Sequence, residues 1–170
     1  MGPQSSRNAA YLIALLLPAA LMAAVLVAQY GFGLPPCEMC WWQRYGHIAG
    51  IVLALGAWGL RGRGNGSAGD PLVVLAASAI AVSGLIGAFH AGVEYHWWQG
   101  FTTCSSSRLG GGDPLAAIMN APLIRCDVAA WTLFGVSLAG YNFLVSLPGA
   151  ALIVALLGRA RGATPQGHLA

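Results

Sequence analysis

The sequence predicts an all-α membrane protein: one domain of four transmembrane helices, with both termini in the cytoplasm. Three observations carry that prediction. Hydrophobic residues make up 57% of the 170 and charged residues 8%, with a mean hydropathy of +0.67. A soluble domain of this length could not bury so much apolar surface, and lipid is the solvent that suits it. Four stretches are apolar over the roughly 20 residues that a helix needs to cross a bilayer. The arginines gather in alternate connections, the asymmetry that orients a membrane protein. The net charge of +3 comes from arginines spread thinly along the chain, with no lysine, which argues against a nucleic-acid partner.

The first span, 9–28, holds no charged residue, and Pro18 is tolerated inside it where neighbouring helices cover the freed carbonyl. A cleavable signal peptide is the competing reading, because Arg7 precedes the run and Ala28 ends it. The run exceeds the about 7 to 15 residues of a signal core, and Leu26 stands where a cleavage site wants a small side chain, so retention is expected. The second span, 41–60, is interrupted near its start by Gln43 and Arg44 and contains His47. Residues 61–71, RGRGNGSAGDP, are rich in turn formers and read as a connecting loop. Spans at 72–93 and 131–157 follow, the last long enough to include a tilt or an extramembrane turn.

Arg7, Arg61, Arg63, Arg159 and Arg161 fall on the side of the termini, against Arg44, Arg108 and Arg125 on the other, which places both termini in the cytoplasm. Trp41, Trp42, Trp97, Trp98 and Trp131 sit at outer span ends, where amphipathic rings suit the headgroup level. The outer loops are then 29–40 and 94–130. Within the second, Pro114 to Asn120 (PLAAIMN) is apolar but too short to span, and suits a short helix lying on the membrane or packed against the bundle.

In this topology all four cysteines, Cys37, Cys40, Cys104 and Cys126, lie outside the cytoplasm, two in each outer loop, in a compartment that is oxidising in bacteria. A helix starting after Pro35 and Pro36 puts Cys37 near its positive end and Cys40 one turn inside, a setting that stabilises a thiolate. Arg44, four residues beyond Cys40, shares their face. An arginine at that depth is costly and points to function: a charge beside the thiols and a donor to a quinone oxygen. No metal site is expected, since zinc sites want two short cysteine pairs and Cys104 and Cys126 stand far apart. Trp41 after Cys40 excludes covalent haem, and the chain lacks the βαβ context of a thioredoxin motif. Two purely structural disulfides in a non-catalytic scaffold remain a competing reading. His47 and His90, inside spans, are read as packing residues or as ligands of a b-type haem.

Three segments in this order, CEMCWWQR (37–44), GVEYHWWQGFTTC (92–104) and CDVAAWTLFG (126–135), resemble the DsbB family of disulfide bond formation proteins across nearly the whole chain. The resemblance implies a quinone-dependent protein-dithiol oxidoreductase of the bacterial inner membrane, with its redox-active loops in the periplasm. A Cys104/Cys126 disulfide would oxidise a periplasmic thioredoxin-fold partner of the DsbA type through a mixed disulfide at Cys104. Electrons would then pass to the Cys37/Cys40 pair, by way of a Cys37/Cys126 bridge, and leave from Cys40 to a quinone assisted by Arg44. Glu94 and His96 at the outer end of the third span are expected to shape the quinone pocket or relay protons, against a reading as plain interfacial polar residues. Abundant Ala and Gly with no Lys, a high-GC signature, favours ubiquinone over menaquinone.

Overall fold

The computed structural model describes residues 2–62, 66–100 and 125–162. Among them are helices α1 (Pro3–Gly31), α2 (Glu38–Arg61), α3 (Asp70–Glu94) and α4 (Leu138–Gly162), with a small hairpin of β1 (Thr132–Leu133) and β2 (Val136–Ser137) before the last helix. The apolar stretch at 114–120 and Cys104 lie outside the described residues.

α1, α3 and α4 are long and apolar enough to cross a membrane. α2 has the length but carries Gln43, Arg44 and His47, all buried inside the bundle. Such side chains in lipid would be costly, and the other helices shield them. Tyr11, Ala54, Val73, Ile80, Ile153 and Leu157 form a core shared by all four helices. Small residues let α2 and α3 approach closely: a Cβ on Gly46 would stand 2.8 Å from the Ser83 Cβ and 3.1 Å from the Ala79 carbonyl.

The helices run up and down, and one end of the bundle is tied through Asp70 at the start of α3. Its carboxylate accepts from the Tyr11 hydroxyl at 3.1 Å and pairs with Arg7 and Arg161, each at 3.4 Å. Arg61 donates to Asn8 at the same end. The start of α1 and the end of α4 thus share an end, and Cys37, Cys40 and Cys126 lie at the other.

The fourth helix begins later than the sequence suggests. Residues 132–137 form the hairpin, within a stretch whose apolar run spans 131–157. Its turn is made by Phe134 (φ 50°) and Gly135 (φ 78°), a pair of positive φ values that no helix accommodates. Thr132 pairs with Ser137 and Leu133 with Val136. Tyr95, just past α3, clamps the hairpin: its hydroxyl donates to the Gly135 carbonyl at 2.8 Å and accepts from the Ser137 amide at 2.9 Å. This anchor fixes the end of the segment that delivers Cys126 to the bundle.

Candidate redox site

Pro35 and Pro36 cannot supply backbone donors and hold the chain extended up to Cys37, which caps α2 (φ −79°, ψ 177°). Its sulfur takes the role usually given to a serine or aspartate oxygen, accepting from the Cys40 amide at 3.2 Å. Cys37 and Cys40 are free thiols with sulfurs 2.7 Å apart. The hydrogen bond to Cys40, together with burial, pushes the Cys37 thiol well above the ordinary range. Ionisation is therefore harder at Cys37 than at Cys40.

Cys126 is 1% exposed and disulfide-bonded, its partner lying outside the described residues. Its sulfur, the Cys37 sulfur and a ring nitrogen of His90 all lie within 4.8 Å of one another. Beside it, the exposed Arg125 guanidinium holds the Asp127 carboxyl below the usual carboxylate range. The structure thus brings three of the four expected cysteines together from two distant segments.

Cys40 opens onto a cavity of about 400 Å³ between α1, α2, α3 and α4. Its walls are mostly aliphatic, with Leu21 and Val25 of α1 facing Leu138 and Val145 of α4, and its polar groups are Gln43, Arg44, His47, His90, Glu94, Tyr141 and Asn142. Arg44 is 7% exposed. One of its nitrogens donates to Gln29 Oε1 at 2.6 Å, and the guanidinium lies 5.0 Å from the centre of the Trp41 ring. Gln29, which aims the arginine, has no signal in the sequence; it is one polar residue at the end of an apolar run.

A second group that sequence reasoning missed is a hydrogen-bond network under the cavity. The Ser83 carbonyl can only accept, so the Asn142 amide nitrogen, 3.0 Å away, must point at it. Asn142 Oδ1 then accepts from His47 Nε2 at 2.9 Å and from the Ser146 hydroxyl at 2.7 Å. This leaves His47 Nδ1 as an acceptor, and it has no partner among the described residues. The Met39 carbonyl likewise fixes Gln43, whose amide nitrogen donates to it at 3.2 Å and to His90 Nδ1 at 2.9 Å. Gln43 Oε1 accepts from Asn142 at 2.8 Å, which closes the chain consistently.

Of the two further residues expected at the site, Glu94 arrives and His96 does not. Glu94 lines the cavity, with Oε1 3.7 Å from His90 Nε2 and Oε2 buried with no partner among the described residues. His96 is exposed and has no place in the cavity wall. It instead terminates α3 at φ 60°. The His96 amide bonds the Val93 carbonyl at 3.1 Å and the Trp97 amide bonds the Gly92 carbonyl at 2.8 Å, the pairing of a Schellman cap. Such a position favours glycine. His96→Gly is therefore expected to stabilise the protein by about 1 kcal/mol, read as a higher melting temperature in detergent, with the rate of thiol oxidation unchanged.

The sequence model of the family described as disulfide bond formation protein DsbB matches residues 6–156. The chain belongs to the DsbB family. A disulfide bond formation protein B of Verminephrobacter eiseniae is 35% identical over 156 residues, covering 85% of this chain and 82% of its own. One from Acidovorax sp. is 32% identical over 163 residues, covering 86% and 85%. One from Marinobacter nauticus is 38% identical over 68 residues, 39% of this chain and 40% of its own. No solved structure matches the chain. Family membership and the apolar helices make this DsbB-family chain an integral membrane oxidoreductase of disulfide bond formation.

Proposed function

We propose that this DsbB-family chain oxidises a periplasmic dithiol protein of the DsbA type and delivers the electrons to a membrane quinone, ubiquinone rather than menaquinone. It does so in the bacterial inner membrane, with its termini in the cytoplasm and the cysteine end of the bundle facing the periplasm. The observation that carries the reading is the meeting of Cys37 and Cys126 within 4.8 Å where Cys40 and Arg44 open onto the cavity.

The cavity suits a quinone. Its aliphatic walls match an apolar ring and tail reached from lipid, Arg44 can donate to a ring oxygen, and the unpartnered His47 Nδ1 can accept from a ring hydroxyl. When bound, the quinone supplies a two-electron acceptor. The chain's own residues do the rest. A partner thiolate attacks Cys104 of a Cys104/Cys126 disulfide and releases Cys126 as a thiolate. Cys126 attacks Cys37 of an oxidised Cys37/Cys40 pair, and the Cys40 sulfur leaves as a thiolate beside Arg44. The partner's second thiolate then displaces Cys104, and Cys104 attacks Cys126 and frees Cys37, leaving a closed Cys104/Cys126 disulfide and a reduced Cys37/Cys40 pair as the electron donor. Arg44 holds that negative charge and orients the acceptor, and the aliphatic walls keep water from the sulfurs.

The test is to add a reduced DsbA-type protein to the purified chain in lipid nanodiscs containing ubiquinone. One quinone should be reduced for each partner dithiol oxidised. A chain that forms no disulfide in the partner, or forms it with no quinone consumed, would refute the reading. Thiol trapping in cells adds a second readout, since a relay accumulates reduced cysteines when respiration stops and a stapled scaffold does not.

A further inference from the structure

His90 has no role in the relay as described, yet it is 2% exposed and sits between the two cysteines that must exchange. Its Nε2 lies 3.6 Å from the Cys37 sulfur, and the ring also hydrogen-bonds the Cys126 main chain. Its tautomer is settled by the network beneath it. The Met39 carbonyl directs the Gln43 amide nitrogen, and that nitrogen donates to His90 Nδ1. Nδ1 is thus an acceptor, and the proton of the neutral ring is on Nε2, facing Cys37. The Cys37 sulfur thus accepts from the Cys40 amide at the start of α2 and lies within reach of the His90 N–H from α3, which it shares with the Cys126 main chain and Glu94.

We propose that His90 is a positioning residue of thiol exchange, its Nε2–H holding the negative charge on the Cys37 sulfur whenever Cys37 acts as nucleophile or leaving group against Cys126 or Cys40. The proposal builds on the relay above and adds a residue to it. Exchange itself moves no net electrons: the Cys37–Cys40 bond breaks as the Cys126–Cys37 bond forms, and the departing sulfur keeps the electron pair. Closing the reduced pair releases two protons and two electrons, the electrons going to the quinone and one proton leaving each sulfur. The second proton is the difficult one, because it sits on Cys37 among groups that oppose another negative charge. The titratable and charged neighbours are Cys40 and Arg44 on α2, His90 and Glu94 on α3, Cys126 from the second loop, and Tyr141 of α4 across the cavity. Glu94 and the Cys40 thiolate both make ionisation of Cys37 harder. Gln43 is neutral and fixes only which nitrogen His90 turns toward the sulfur. Arg44 turns instead to Gln29 and Trp41.

The experiment measures Cys37 directly. In a Cys40→Ser background, reduced and free of quinone, the rate of Cys37 alkylation by iodoacetamide is followed against pH by mass spectrometry. His90→Leu should raise the midpoint by at least about one pH unit and slow alkylation at pH 7 about tenfold, the usual worth of a hydrogen bond to a charged group. The plateau rate at high pH should not change. His90→Gln keeps an N–H donor and should recover part of the shift, which a role in packing alone would not produce. If the leucine variant does not fold, Gln43→Leu frees the ring to take either tautomer and should also raise the midpoint. Coincident profiles for the parent and the folded variant would overturn the proposal, as would a glutamine variant no better than leucine. The assay contains neither quinone nor partner, so its failure is distinct from failure of the quinone reading, which shows in the wild-type chain alone.

Discussion

Cys40→Ser is expected to lower quinone-coupled turnover by about three orders of magnitude or more, the scale on which covalent machinery fails when one member is removed. Serine cannot form the Cys37/Cys40 bond, and its oxygen cannot deliver a sulfur-centred electron pair to an acceptor in the cavity. The variant should nevertheless transfer one disulfide to a reduced partner, because the disulfide at Cys126 is made separately from the Cys37/Cys40 thiols. Rapid-quench thiol counting should thus show a burst of one oxidised partner per chain and then no further turnover. A variant that keeps reducing quinone at the wild-type rate would refute the assignment of Cys40 as the exit point. Absence of the burst would refute the separate role of the second-loop disulfide.

The contrast between burst and turnover reflects how the two loops are held. Cys37 is fixed by rigid surroundings: two prolines before it, the first turn of α2 after it, and α3 across from it. Cys126 comes from the connection between α3 and the hairpin, and Tyr95 pins the far end of that connection. One sulfur belongs to a helix terminus and the other to a loop that is anchored close by. The proposed relay suits this arrangement, since Cys126, released when the partner engages Cys104, must reach the sulfur held at the start of α2.

The span pattern was legible because a period of about 20 apolar residues is enforced by bilayer thickness and needs no tertiary knowledge. The second and third helices follow it closely, Glu38–Arg61 against 41–60 and Asp70–Glu94 against 72–93. The first begins earlier, at Pro3, because proline suits the first turn and the polar residues 4–8 remain helical beyond the apolar run. In the fourth, the stretch 131–157 leaves room for a turn, and the turn falls at its start. Trp131, Leu133 and Phe134 are as apolar as a span, and hydropathy is blind to the sign of φ, so the pattern alone does not separate hairpin from helix. At the site, Cys37, Cys40 and Arg44 were legible from spacing on one helix. His90 was visible only as a histidine inside an apolar run. Its meaning depends on Cys37, 53 residues away, and on Gln43, 47 residues away, and no local pattern encodes such pairs. His96 misled for the opposite reason: its position next to Tyr95 and Glu94 suggested a shared site, but the chain reverses there and turns the histidine outward.

Arg44→Ala is the other change of large expected effect, with quinone KM rising about 10- to 100-fold, the equivalent of losing one charge-assisted hydrogen bond of about 1.5–3 kcal/mol. The guanidinium is buried, oriented by Gln29 on α1 and stacked near Trp41 on its own helix, so a donation to the proposed acceptor would need little reorganisation. Arg44→Lys should recover little of the loss. An ammonium on a flexible stem cannot donate to Gln29 and to a ligand from one planar group, and it loses the ring contact. Gln29→Leu should give a smaller rise, since it removes the orienting acceptor and leaves the charge. Stopped-flow quinone reduction against quinone concentration in nanodiscs separates these effects. Disulfide transfer to the partner in a single turnover should be the same in all three variants, because it draws only on the disulfide at Cys126, while Arg44 lines the cavity onto which Cys40 opens. Equal loss in the burst and in quinone turnover would mean that Arg44 supports the bundle as a whole and not the acceptor in the cavity.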